Sequence, residues 1–192
     1  MLKQLLDKEI LKVLKEETKL LHDIVDKSSG ADKIISHTIS VQEFTKLLEK
    51  NYLAYSHIEA NICCFKQENL VKQVYFLPRI SNWVLKDLKK ISFSLLTKNT
   101  SIFLNNKFEA LGAIYVTEGS LLGGLVLGKH LTECNQLSNT TTLEFYKFDK
   151  DRLMRWEKFR KHMTQSQFSA EERNQIVQGA KKTFKAFIKY FK

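Results

Sequence analysis

An all-α fold is predicted for this chain of 192 residues, and three observations carry the prediction. Apolar residues recur at helical spacing almost throughout, the signature of amphipathic helices. One proline and seven glycines leave few positions that break a helix. No segment reads as a convincing strand. With 43% hydrophobic and 27% charged residues, the chain is expected to form one compact domain over 1–192, large enough to enclose a cavity.

Each element has its own signal. Leu2, Leu5, Leu6, Ile10, Val13, Leu14, Leu21 and Val25 define a first amphipathic helix of about six turns, ended by Ser28-Ser29-Gly30. Ser40 is placed to cap a second helix, with Glu43 completing a capping box, and that helix runs to about Cys64. Pro78 divides the next segment, and Arg79 to Lys90 reads as a short helix. Asn105 or Asn106 opens a long apolar helix that continues to about Glu133. Asn135 to Thr142 is polar and loop-like. Leu143 to Met163 contains a further helix with Trp156 and Phe159, and Ser169-Ala-Glu-Glu caps a last helix reaching the C-terminus.

Charge and cysteine content narrow the function classes. The net charge of +10 favours an anionic partner or ligand. The lysines are dispersed rather than clustered, so a nucleic-acid module is disfavoured. Adjacent Cys63 and Cys64 with a distant Cys134 make a poor disulfide framework and no zinc spacing, which suits thiols in a reducing cytosol. The longest apolar run is broken by Glu118 and Lys129, so no bilayer-spanning segment is expected, and the N-terminus lacks a signal-peptide core. A cytoplasmic monomer without membrane or nucleic-acid partners is the expectation.

The least ordinary feature is Gly112 to Gly128, which holds five of the seven glycines inside one apolar helix. Glycine costs about 1 kcal/mol relative to alanine in a helix interior. The pattern predicts a backbone that approaches, or bends over, something flat and bulky. Among the five histidines, His22 stands late on the first helix between Leu20-Leu21 and Ile24-Val25, where its ring can reach an apolar pocket. No His-x-x-x-His pair or repeated Glu-x-x-His pair suggests a di-iron bundle. A single histidine holds a metal most readily when a cofactor supplies the other ligands, as haem does.

The sequence Leu14-Lys15-Glu16-Glu17-Thr18-Lys19-Leu20-Leu21-His22 closely resembles the first-helix motif of the haem oxygenases. Tyr115-Val-Thr-Glu-Gly-Ser-Leu-Leu-Gly-Gly resembles the distal helix of the bacterial, biliverdin-producing branch. Weaker matches at Arg79, Leu85, Asp87-Leu88, Trp156, Phe159, Ala180 and Thr183-Phe184 extend the resemblance over most of the chain.

That resemblance implies haem held between the first helix and a kinked glycine-rich distal helix. It makes His22 the axial iron ligand and Gly119, Gly123 and Gly124 the close distal wall, with Gly119, Ser120 and Gly123 taking part in the oxygen chemistry. Ser120 stands where the mammalian branch has an aspartate that organises water. A serine hydroxyl holds no charge near neutral pH, so the proton-delivering network must differ. Lys15 and Tyr115 match propionate contacts, and Lys181 and Lys185 are similarly placed in the family pattern. The implied reaction opens the haem ring to biliverdin, carbon monoxide and ferrous iron, with haem as both substrate and cofactor. Electrons must come from outside, since the chain has no dinucleotide fingerprint; an acidic ferredoxin, flavodoxin or reductase suits the basic surface. The alternative is a non-catalytic haem carrier on the same fold.

Overall fold

The computed structural model describes residues 9–91, 102–137 and 143–192. The described residues form helices and connecting turns, with no strand among them. In chain order these are α1 (Ile10–Ser28), α2 (Ala31–Ile35), α3 (Val41–Cys63), α4 (Asn69–Lys72), α5 (Ile80–Ile91) and α6 (Lys107–Leu131). A single 3₁₀ turn (Asn135–Leu137), α7 (Lys150–Gln165) and α8 (Ala170–Phe191) complete the order. The predicted Leu2, Leu5 and Leu6 portion of the first helix lies outside the described residues, as does the 138–142 part of the expected polar loop.

Local chemistry sets the boundaries. Ser40 Oγ accepts from Glu43 N at 3.2 Å while Glu43 Oε2 accepts from Ser40 N at 3.0 Å, which is the predicted capping box. Ser169 and Glu172 repeat it at the start of α8. Asn106, not Asn105, caps α6: its Oδ1 accepts from Phe108 N and Glu109 N at 3.0 and 2.9 Å. The N-terminus of α5 is held from another helix, since the buried Glu59 of α3 accepts from Ile80 N at 2.7 Å and Ser81 N at 3.2 Å. Two helices have no counterpart in the sequence reading. α2 and α4 span only five and four residues, too few to display a periodicity.

Helix α6 is the centre of the fold, and its most extensive partner is α8. The two backbones meet at paired glycines. A Cβ on Gly112 would collide with the Ile176 carbonyl and Ala180 N, and one on Gly179 would collide with the Glu109 backbone. Around this crossing α1 packs on α8, α3 bridges α5 and α8, and α7 closes on α6. Leu14, Phe44, Leu48, Leu111, Phe159 and Ile176 are fully buried between the layers.

One expectation is corrected here. Lys107–Leu131 is long and apolar enough, by length and composition, to cross a membrane despite Glu118 and Lys129. Its apolarity has a use inside the protein, where half of its most apolar window is buried against neighbouring helices. Helix α6 is apolar on all sides over Ala110–Val116 because it is surrounded there.

Candidate active site

Beyond Val116 the α6 helix leaves the close-packed core and becomes a wall. It faces a cavity of about 360 Å³, within the range of small-molecule sites. His22 and Val25 of α1, Phe184 and Phe187 of α8, and Asn51 and Tyr55 of α3 supply other walls, with Trp156 of α7. The lining is mostly aromatic and aliphatic, with a few convergent polar groups.

The five α6 glycines divide into two kinds. Gly112 and Gly128 are packing glycines: a Cβ at Gly128 would strike the Tyr146 carbonyl, as one at Gly112 would strike that of Ile176. The expectation of close approach to a flat ligand therefore does not extend to Gly112 and Gly128, which were not among the expected wall positions. Gly123 and Gly124 line the cavity, and a Cβ on either would have no protein atom within 4 Å. No protein neighbour requires glycine at these two positions. Gly119 also lines the cavity, and a Cβ there would touch the Trp156 ring at 3.5 Å, an ordinary contact.

His22 is presented rather than buried, with 58% of its side chain exposed. Its Nδ1 lies 3.0 Å from Asp26 Oδ2, one turn further along α1, and its ring meets Phe184 edge-on at 5.8 Å. A carboxylate on Nδ1 selects the Nδ1–H tautomer and leaves the Nε2 lone pair free for a metal. The residue types fit an iron-bearing flat ligand: one oriented imidazole, and two positions on another helix where a side chain is missing.

The polar groups near the glycines are tied together. Ser120 Oγ donates to the Thr117 carbonyl at 2.7 Å, as an isolated helix serine does. It also lies 2.6 Å from the Tyr55 hydroxyl. Since the serine proton is used on Thr117, Tyr55 donates to Ser120. Burial pushes the Tyr55 phenol above its ordinary range, so the donor stays protonated. Tyr115 lines the cavity against Trp156, with ring centroids 5.8 Å apart, and burial raises its phenol too.

Two distant ions build the wall that carries Phe145 and Tyr146. Asp87 of α5, fully buried, accepts from Glu144 N at 2.7 Å and Phe145 N at 2.8 Å. Arg152 of α7 donates to the Phe145 carbonyl at 2.7 Å and the Lys147 carbonyl at 3.0 Å, and also to that of Glu144. Acid and base thus grip the same turn from opposite sides. Burial raises the Asp87 carboxyl above its ordinary value in spite of the two N–H donors. The lining helix itself is anchored by a buried bidentate pair, Arg155 Nε to Glu118 Oε2 at 2.9 Å and Nη2 to Oε1 at 2.5 Å.

Of the residues singled out in the sequence, His22, Tyr115, Gly119, Ser120, Gly123 and Gly124 gather around one cavity. Lys15, Lys181 and Lys185 are not among its walls. Lys15 and Lys185 are exposed, and Lys181 Nζ is paired with Glu17 at 2.7 Å. Tyr55 and Asp26 were missed. Asp26 had a signal, its i+4 spacing from His22; Tyr55, on another helix, had none.

The heme oxygenase family model matches residues 8–192. Similar solved structures include "Structure of Heme Oxygenase from Leptospira interrogans", at TM-score 0.77 and 19% identity, covering 96% of this chain and 98% of that one. Heme oxygenase-1 from Synechocystis sp. PCC6803, in complex with heme, aligns at TM-score 0.75 and 19% identity, over 96% of this chain and 91% of that one. The NO- and CO-bound heme oxygenase from Neisseria meningitidis aligns at TM-score 0.73 and 20% identity, over 95% and 90%. No curated protein sequence matches the chain significantly. The match of the family model over nearly the whole length, together with this fold, makes the chain a member of the haem oxygenase family.

Proposed function

We propose that this protein is a haem oxygenase that degrades haem to biliverdin, carbon monoxide and ferrous iron, using dioxygen and electrons from an external donor. One observation carries the reading: an imidazole oriented by Asp26 shares a cavity with two side-chain-free helix positions on α6. Bound haem supplies the iron at which dioxygen is reduced and is itself the substrate.

The chain's own residues do the rest. His22 offers Nε2 to the iron while Asp26 holds its Nδ1–H. Gly123 and Gly124, with Gly119, lack side chains on the cavity side of α6 and would let its backbone come close to a flat ligand. Phe184, Phe187 and Trp156 exclude water from the ring. Tyr55 holds Ser120 in one orientation, and both oxygens keep lone pairs toward the cavity on which a water can be ordered. Lys15, Lys181 and Lys185 do not line the cavity, but their long side chains would pair with the propionates of a bound haem, Lys181 by exchanging Glu17 for one of them. The net charge of +10 suits an acidic electron donor.

The test is spectroscopic. Haemin added to the purified protein should give a Soret band. Ascorbate or a ferredoxin system under oxygen should then bleach it, with broad red absorption of biliverdin appearing and carbon monoxide released. A Soret band that persists under electron supply identifies a haem carrier instead. His22→Ala should abolish axial ligation and turnover, and Asp26→Asn should weaken both by about 10- to 100-fold, as removal of an outer-shell partner does.

A further inference from the structure

At the far end of α6 from its cap, three side chains outside the haem cavity converge. His37 Nε2 lies 3.1 Å from His130 Nδ1 and 3.3 Å from Glu133 Oε2. The candidate ligand atoms of all three fall within 4.8 Å of one another. We propose that His37, His130 and Glu133 form a binding site for a first-row divalent transition-metal ion.

The two separations measured from His37 are those of ligands around one centre. Two donor atoms about 2.1 Å from a metal stand about 3.0 Å apart at a right angle and about 3.4 Å apart at the tetrahedral angle. Both separations measured from His37 Nε2 fall inside this interval. Two imidazoles and one carboxylate are borderline ligands, suited to zinc, cobalt, nickel or ferrous iron rather than to calcium or magnesium. Glu133 is 64% exposed, so water reaches the remaining coordination positions.

The backbone supplies the second argument. His37 has φ 57°, and it alone among the described non-glycine residues is left-handed. It occupies the position after the α2 C-cap in a Schellman turn: Thr38 N donates to Lys33 O at 2.9 Å and His37 N to Ile34 O at 3.1 Å. Glycine is the default at such a position, because a Cβ there crowds the following carbonyl oxygen. The chain accepts that crowding and thereby aims an imidazole at the end of α6.

A bound ion would join the corner after α2 to the last turn of α6. Ala31 and Leu127, from these same two helices, line the haem cavity.

The experiment uses tag-free, chelator-treated full-length protein titrated with Zn²⁺ by calorimetry. One saturable site is expected. Both His37→Gly and Glu133→Gln should weaken binding by at least the 10- to 100-fold that loss of an outer-shell partner costs. His37→Gly keeps the turn, because glycine prefers it, and should raise the melting temperature of the metal-free protein. Substituting Co²⁺ should give d–d bands with no thiolate charge-transfer band, and His22→Ala should leave Zn²⁺ binding intact. Absence of a saturable site, binding by either site variant as tight as the parent's, a thiolate band pointing to Cys63 or Cys64, or loss of the site in His22→Ala would each overturn the proposal.

Discussion

At the scale of single residues, the glycines of α6 do two opposed jobs, and alanine separates them. At Gly112 an added methyl meets the backbone of Ile176 and Ala180, so α6 and α8 must part. Overpacking of this kind costs about 1–3 kcal/mol, and more where backbone must move. Gly112→Ala should therefore melt well below the parent protein. At Gly123 the same methyl enters open cavity, and the helix gains the alanine propensity of about 1 kcal/mol. Gly123→Ala should melt at or above the parent in the absence of haem, yet degrade haem more slowly because the distal wall has thickened. Thermal unfolding of the two apo variants alongside single-turnover haem bleaching checks both. A Gly123→Ala protein that is less stable, or equally fast, contradicts this division. Ser120 also combines two readings. It bonds its own helix backbone, and it accepts from Tyr55, so its orientation is set from outside α6.

At the scale of elements, the capping box at α3 makes a pH prediction. The Glu43 carboxyl is lowered from 4.5 to about 2, first by the Lys33 ammonium and then by the Ser40 N–H and hydroxyl. Its folded value lies below its unfolded one, so ionised Glu43 stabilises the fold. That contribution is fully present above pH 4.5 and is lost as the pH falls toward about 2. The parent should be more stable than Glu43→Gln at neutral pH, and the two should converge across this window in denaturant titrations. Because the group is exposed, salt should shrink the Lys33 share of the difference. A constant gap between parent and variant from neutral pH to pH 2 would refute it. This cap was legible because both of its legs are local in sequence, as were the C-terminal end of α1 and the ends of α3 and α8. The start of α1 was not, since Glu9 is a non-helical N-cap and the helix begins at Ile10, inside the run that the apolar spacing carried back to Leu2. Legibility failed with distance. Helices α2 and α4 are too short to carry a period. The Glu59 cap on α5 and the Asp87–Arg152 grip on the Phe145 turn join separate helices. The same holds at the site: His22, Tyr115 and the glycines sit in contiguous motifs, whereas Tyr55 meets Ser120 across 65 positions. Local spacing says nothing of such a contact.

At the scale of the whole molecule, the +10 charge remains to be connected with the reaction. Nothing in the cavity needs so many cations: its lining is mostly apolar, and most of the lysines lie elsewhere. A surplus of one sign spread over a surface acts on encounter rates, raising them by about 10- to 1000-fold for an oppositely charged partner. On the proposed reading the electrons are delivered by a docked donor. Turnover supported by an acidic ferredoxin should accordingly slow as salt is raised, through a donor KM that increases about tenfold or more as the Debye length contracts from ~30 Å at 0.01 M to ~10 Å at 0.1 M. The haem-bound Soret position should not move over the same range, because on the proposed reading it is set by short-ranged contacts with His22, itself paired with Asp26. Steady-state kinetics at a series of ionic strengths, with the spectrum recorded at each, separates the two effects. A flat donor KM would mean that the basic surface serves some partner other than the electron donor, while leaving the haem chemistry of the cavity untouched.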